Sequence, residues 1–296
     1  MINPHPGLPE FDYVKPASLA EASQFLAQHA GEARPLSGGT DTFVRMRDGF
    51  WKDKYLVDIK GLEGTGKIEF DPAKGLTVGA GVSMNRVVAS ADAQRVYPLL
   101  VEAAHSVASY QLRSRATIIG NVCNASPAGD TIGSCIVLQA SLNVFGVDGY
   151  RTESLNGFFK GPGKTVLKPG DIVTSIFFPL PPQGMVGKYY KLGRNKIGDL
   201  SLVGVTVMGY PDNTAKSGFR FRIALASVAP IPFVPAEAES ILAEKPITEA
   251  SIEEAAKAAM DAVKPIDDVR GGARYRSYMV RNLVRQAATE VWSRIR

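Results

Sequence analysis

The chain has 296 residues, of which 45% are hydrophobic and 21% charged, with a net charge of +5. That length and balance suit two or three compact globular units and exclude large-scale disorder. No run of about 18 apolar residues occurs, which excludes a transmembrane segment, and without basic residues interleaved with aromatics no nucleic acid partner is expected.

The start, Met1-Ile2-Asn3-Pro4-His5-Pro6, has neither the basic region nor the apolar core of a secretion signal, so a cytoplasmic protein is expected. Phe11 to Val14 reads as a short strand. Ser18-Leu19-Ala20-Glu21 is a capping box opening a helix with Leu19, Ala22 and Leu26 on one face, and Gly31 stops it.

Next comes Arg34-Pro35-Leu36-Ser37-Gly38-Gly39-Thr40-Asp41-Thr42-Phe43, whose order reads strand, tight turn, helix start. Two adjacent glycines allow positive φ and bring successive N–H groups close to a bound group, a geometry that cradles phosphate. The following helix would add its free amides and positive dipole end. An ordinary turn with Thr40 or Asp41 as helix N-cap fits the pattern equally well. That helix is expected to end near Gly49, before a strand at Tyr55 to Ile59.

Ile68–Phe70 and Leu76–Val82 read as a hairpin, and apolar spacing predicts one or two helices across residues 84–109. Residues 112–130 are rich in small and hydrogen-bonding side chains, too few to fill a core. They suit a flat ligand lying against backbone, with Asn121, Ser126 and Asp130 as donors and acceptors. Cys123 and Cys135 cannot supply the four thiolates of an iron–sulfur cluster and lack zinc-knuckle spacing, so buried free thiols are expected.

Gly161-Pro162-Gly163-Lys164-Thr165 resembles a P-loop, but the glycine required five places before Gly163 is Phe158. GxGxxG is absent too, so nothing supports a Rossmann nucleotide domain. The prolines of Phe177 to Gly184 mark a boundary and argue against a central strand. Beyond it, Ser201–Met208 and Phe219–Leu225 alternate around Pro211-Asp212-Asn213-Thr214, which predicts an antiparallel hairpin with one wet face. A helix over 249–263 carries the box Ser251-Ile252-Glu253-Glu254, and Tyr275 to Ile295 forms the last, with Val280, Val284, Ala287, Val291 and Ile295 inward. From Arg270 onward there are seven arginines and one acid, which leaves residues 1–269 at about −1. This basic tail reads as a solvated helix face or as a docking surface for an acidic partner subunit.

Together these stretches resemble, over nearly the whole chain, the medium, FAD-binding subunit of the molybdenum hydroxylases, the carbon monoxide dehydrogenase and xanthine dehydrogenase family. The carriers are Pro35 to Asp41, Thr117 to Asn121 with Ala125 to Asp130, Gly161 to Thr165, Tyr190-Lys191 with Arg194 and Asp199, and Asp268 to Arg276. The resemblance implies an α+β fold. A two-subdomain FAD-binding domain of the vanillyl-alcohol-oxidase (PCMH) type would span 1–178, with subdomains of about 1–60 and 61–178. A Pro-rich linker would follow at 179–185, then a smaller α+β domain with an antiparallel sheet, of the CO dehydrogenase flavoprotein type, over 186–296.

By the same resemblance, Leu36, Ser37, Gly38, Gly39, Thr40 and Asp41 would surround the FAD pyrophosphate. Thr117, Ile118, Ile119, Gly120 and Asn121, with Ser126 and Asp130, would line the ribityl and flavin side. Lys191 and the residues around Ile172 would approach the flavin ring, where Lys191 would stabilise the anionic reduced form; from the residues alone it is equally a solvated loop lysine. Tyr189 and Tyr190 would shield the ring or pack in the core.

Two departures stand out. Family members usually carry Gly-Gly where this chain has Ile119-Gly120, and isoleucine neither takes φ > 0 cheaply nor admits a ligand as closely, so a shifted loop or altered pocket is expected. The four-cysteine insertion of the 4-hydroxybenzoyl-CoA reductase branch is missing.

The implied role is an electron-transfer subunit of an oxidoreductase, with no substrate acid or base of its own, matching the scarcity of histidine (His5, His29, His105). Molybdopterin on a large subunit and two 2Fe-2S clusters on a small subunit would complete a dimer of heterotrimers. A stand-alone flavin reductase of the same fold, such as an enolpyruvylglucosamine reductase, and a flavin-free scaffold are the alternatives. The substrate and the final acceptor, whether NAD, quinone, ferredoxin or oxygen, are left open.

Overall fold

The structure, a computed structural model, describes residues 7–195 and 197–296; Met1–Pro6, including His5, and Lys196 lie outside the described residues. The first unit runs β1 (Asp12–Val14), α1 (Leu19–Gln28), β2 (Ala33–Leu36), α2 (Thr42–Arg47) and β3 (Tyr55–Asp58). β3 is central and pairs in parallel with β1 and β2. Ser18 caps α1 by accepting from the Glu21 amide, but the Glu21 carboxylate reaches one residue past the expected box and accepts from Ala17 N–H at 2.7 Å. Leu36, Met46 and Leu56 form a small core.

The second unit begins with β4 (Ile68–Asp71) and β5 (Gly75–Gly79). Six helices follow: α3 (Met84–Ala89), α4 (Ala91–Val96), α5 (Pro98–His105), α6 (Tyr110–Arg113), α7 (Ile118–Asn124) and α8 (Ile132–Val137). It closes with β6 (Ser141–Gly146), β7 (Gly149–Ser154), β8 (Phe159–Gly161), β9 (Lys164–Thr165) and β10 (Ile172–Pro179). Its main sheet is antiparallel in the order β4-β5-β10-β6-β7. Three helices occupy 84–105 rather than one or two, because Ser90 ends α3 and caps α4 while Pro98 opens α5. The apolar run from Ile136 to Phe145 likewise divides into the end of α8 and β6, with Gln139 at φ 57° making the corner. Phe177–Pro179 prove to be the end of β10, the centre of the sheet. Proline is tolerated there because it is the strand's last residue.

The third unit has β11 (Val186–Leu192), β12 (Val203–Pro211) and β13 (Phe219–Ala226) in an antiparallel sheet with β12 central, then α9 (Ala236–Glu244), α10 (Glu249–Ala262) and α11 (Ala273–Ile295). α9 has no counterpart in the sequence reading. α10 starts three residues earlier than its expected box, on Thr248, whose side chain and that of Ser251 cap each other's backbone. The expected wet face of the hairpin is corrected: β12 is buried on both faces. Val203, Val205 and Val207 pack under the helices, while Met208, Tyr210 and Ala224 join the core of the second unit. Gly133 on α8 lies so close to Thr206 that a Cβ there would stand 2.4 Å from its Oγ1.

The basic tail is mostly paired internally. Arg276 is buried against Asp268, Arg281 and Arg285 reach Glu253, and Arg294 meets Glu290. Both cysteines are free, Cys135 in the core and Cys123 half-buried; burial pushes the Cys123 thiol up to about 12. Among the described residues no helix is long and apolar enough to cross a membrane.

Candidate cofactor-binding site

A cleft of about 480 Å³ opens between the first and second units. One wall is the turn after β2. Ser37 Oγ donates to the Ala80 carbonyl at 2.8 Å, tying the turn to the second unit. Gly38 abuts the Arg115 carbonyl, where a Cβ would stand 2.2 Å from the oxygen, and Gly39 has φ +73°. Both glycines are therefore required, one for a close approach and one for a left-handed turn. Asp41 occupies the N-cap position of α2, but its side chain makes no capping bond. Burial by the cleft walls pushes its carboxyl up, with Arg45 pulling the other way.

The opposite wall is α7. Thr117 caps it, its Oγ1 accepting from the Gly120 amide at 2.9 Å. Ile119 is the second residue of this helix and is not among the positive-φ residues, so the expected conflict with φ > 0 does not arise. Its side chain, 4% exposed, packs in the core and borders the cleft. Asn121 Oδ1 accepts from Thr131 N–H at 3.2 Å and from Thr131 Oγ1 at 2.7 Å. Asn124 Oδ1 is buried with no partner among the described residues, although the residue lines the cleft. A buried acceptor without a donor is costly, and a bound group carrying an N–H or O–H would satisfy it.

A third wall comes from the strand pair β8–β9 and the loop into β10, with Gly163, Thr165, Lys168 and Asp171. Gly163 N–H donates to the Ala125 carbonyl at 3.0 Å, which joins this wall to the end of α7. Asp171 is held by both terminal nitrogens of Arg151 and by the Lys168 amide. At the outer end Arg34 lies 3.7 Å over the Trp51 ring and donates to Asp53 at 2.8 Å. Two cations, Arg34 and Lys168, and two carboxylates, Asp41 and Asp171, line the cleft, and Arg34 is already paired with Asp53.

Nine candidates from the sequence line the cleft: Ser37, Gly38, Gly39, Thr40, Asp41, Thr117, Ile119, Gly120 and Asn121. The other six do not. Leu36, Ile118 and Ile172 point into hydrophobic core. Ser126 accepts from the Ala128 amide within its own turn. Asp130 and Lys191 meet at the seam between the second and third units, where Lys191 Nζ donates to Asp130 Oδ2 at 2.7 Å. Lys191 is thus neither a solvated loop lysine nor a cleft residue. Tyr189 is buried and donates to Asp130 Oδ1 at 2.7 Å, and Tyr190 donates to Glu290. Arg34, Trp51, Asn124, Thr165, Lys168 and Asp171 escape the sequence reading as site residues. They come from separated segments with no shared spacing, and only the folded chain brings them to one cleft.

The donor set fits FAD: a glycine turn with Lys168 nearby for a pyrophosphate, amide side chains for a polar ring, and an apolar flank from Ile119, Val107 and Val173. The comparisons agree. Residues 9–181 match the FAD binding domain in molybdopterin dehydrogenase, and residues 188–291 match the CO dehydrogenase flavoprotein C-terminal domain. The carbon monoxide dehydrogenase medium chain of Hydrogenophaga pseudoflava is 32% identical over 97% of this chain and 98% of its own. The xanthine dehydrogenase FAD-binding subunit of Escherichia coli O157:H7 is 27% identical over 94% of each chain. A solved structure of carbon monoxide dehydrogenase from Hydrogenophaga pseudoflava superposes with a TM-score of 0.91 at 31% identity, covering 97% of this chain and 98% of that one. The chain belongs to the family of FAD-binding medium subunits of molybdenum-containing hydroxylases and dehydrogenases.

Proposed function

We propose that this chain is the electron-transfer subunit of its complex, taking electrons from 2Fe-2S clusters on a small subunit and passing them to an external acceptor. A molybdopterin-binding large subunit would oxidise the substrate, and the whole would assemble as a dimer of heterotrimers in the cytoplasm. FAD, when bound, supplies the ability to gather electrons and release them in pairs. The protein's part is to bind and orient. The Ser37–Thr42 turn and the Arg34 and Lys168 charges would hold the pyrophosphate, and Asn121 and Asn124 would hydrogen-bond the more buried end. Ile119, Val107 and Val173 add apolar lining to the same cleft.

The observation that carries this reading is the pairing of a glycine turn and an unpartnered Asn124 acceptor across one cleft, in a chain matched from end to end by medium subunits. For the division into 1–178, a linker at 179–185 and 186–296, support comes from the gap between the two family matches, which end at 181 and begin at 188, and from the core that the third unit's helices form over β12 and β13. Purification with and without the neighbouring subunits tests the reading. A yellow chain that is reduced only when the iron–sulfur partner is present supports it. A chain that by itself reduces a second substrate with a nicotinamide would indicate a stand-alone reductase, and a colourless chain that refuses FAD would indicate a scaffold.

A further inference from the structure

We infer that the β8–β9 strand pair and the turn after it form a docking surface for an acidic electron-carrier protein, the external acceptor of the complex. The inference rests on the electron-transfer reading above and adds to it the chemistry of the acceptor and the place where it meets the chain.

From Ser154 to Gly170 the chain carries three lysines, Lys160, Lys164 and Lys168, with no acid and no arginine. All three are exposed. Elsewhere exposed or half-buried lysines such as Lys54, Lys188, Lys216 and Lys245 pair with glutamates. Among the described residues no ion pair engages Lys160, Lys164 or Lys168, because the acids at the two ends of the segment, Glu153 and Asp171, are both held by Arg151. Three uncompensated positive charges on one hairpin concentrate the field at that place.

The support under these lysines is fixed. Phe158 and Phe159 are buried and meet edge to face with their centroids 5.2 Å apart. Val166 N–H donates to the Phe158 carbonyl and Gly163 N–H to the Ala125 carbonyl, each at 3.0 Å. Lys168 N–H donates to Asp171 Oδ2 at 2.6 Å. A partner docking here would not have to order the backbone.

Position decides the class of partner. Gly163, Thr165 and Lys168 line the cofactor cleft, whereas Lys160 and Lys164 lie outside its lining. The positive charge therefore runs outward from the cleft over an exposed hairpin, which gives a small anion no concavity and suits the surface of a protein. Because Gly163 is bonded to Ala125 at the end of α7, a carrier seated here adjoins the end of the cleft assigned to the ring. No exposed large hydrophobic residue falls between 154 and 170. Lysine is depleted from the cores of permanent interfaces, so an apolar-poor lysine face fits a brief encounter steered by charge rather than a resident subunit. Two carrier molecules, each taking one electron, would together oxidise FADH2 to FAD, with two protons passing to solvent.

Stopped-flow mixing of the FAD-loaded full-length chain with a reduced, acidic 2Fe-2S ferredoxin tests this, since the same surface serves electrons in either direction. The second-order rate constant of flavin reduction should fall about tenfold between about 50 mM and about 500 mM salt. Lys160→Glu with Lys164→Glu should lower it about tenfold at low salt, with the FAD dissociation constant and the melting temperature unchanged. If that pair does not fold, Lys160→Ala with Lys164→Ala serves, with about a threefold loss. Reduced methyl viologen, a small cation, should react with the variant no more slowly than with wild type. A ferredoxin rate indifferent to the lysines, or equal slowing of both reductants, would overturn the inference while leaving the flavin reading intact. So would a variant slowed toward NADH but not toward ferredoxin, which would assign the lysines to a dinucleotide. A wild-type chain that takes up no FAD overturns both.

Discussion

Gly38 faces the Arg115 carbonyl so closely that a Cβ at Gly38 would lie 2.2 Å from the oxygen. This contact presses the turn after β2 against the segment leading into α7, and so sets the separation of two cleft walls. Real Cβ atoms do not approach backbone oxygen that closely, so Gly38→Ala must push the walls apart. The expected result is FAD binding weakened more than about tenfold and a lowered melting temperature, measured by titration and thermal denaturation. Flavin retained by Gly38→Val would mean that the turn has no ligand role.

Ile119, where the family resemblance leads one to expect glycine, is a helical, buried residue. Ile119→Gly should therefore destabilise the chain by about 3–6 kcal/mol, through the lost side chain and the added helix entropy. Urea denaturation reads the change. A loss below about 1 kcal/mol would contradict the packing described.

Asp171 links the cleft to acid stability. Burial pushes its carboxyl up, but the Arg151 fork and the Lys168 amide outweigh that and hold it below the ordinary carboxylate range. Its folded pKa thus lies below the unfolded value of about 3.9, so its stabilisation is complete above about pH 5 and is lost as pH falls through the folded pKa. Thermal melts from about pH 7 to about pH 3 should show a steeper acid limb for wild type than for Asp171→Asn. Parallel limbs would remove Asp171 from the account.

The two kinds of arginine on α11 should differ. Arg276 is 2% exposed, donates to the Ser227 carbonyl at 3.1 Å and pairs with Asp268 at 2.5 Å. Arg276→Met is expected to cost about 3 kcal/mol, because it removes a buried partner and the tie between α11 and the residue just after β13. Arg285, more than half exposed beside Glu253, should cost under about 0.5 kcal/mol when changed to Met. Equal losses in denaturant titrations would show that burial does not distinguish them.

Local features were legible in the residue order wherever neighbouring residues decide the outcome. The alternation of β12 and β13, the inward stripe of α11, the cap at Ser18 and the strand–turn–helix order around Gly38 all depend on side-chain periods and backbone sterics within a few residues. The nine cleft residues found in advance come from two such contiguous stretches. The third wall was not legible, because Lys168 and Asp171 reach the cleft only after β10 has paired into the sheet.

Small residues hid the rest. Gly204 and Thr206 on β12 look like a solvent face, but Gly133 of α8 is seated against Thr206, and that fit depends on two units meeting. Asp130 and Lys191 are far apart in the sequence, and docking of the third sheet brings them together as an ion pair. Residue order settled many of the elements and the glycine turn through local sterics, but not α9 or the strands β6 to β10. Long-range packing alone settled which polar groups reach the cleft, since hydrogen-bond partners from distant segments are chosen only when the units close on one another.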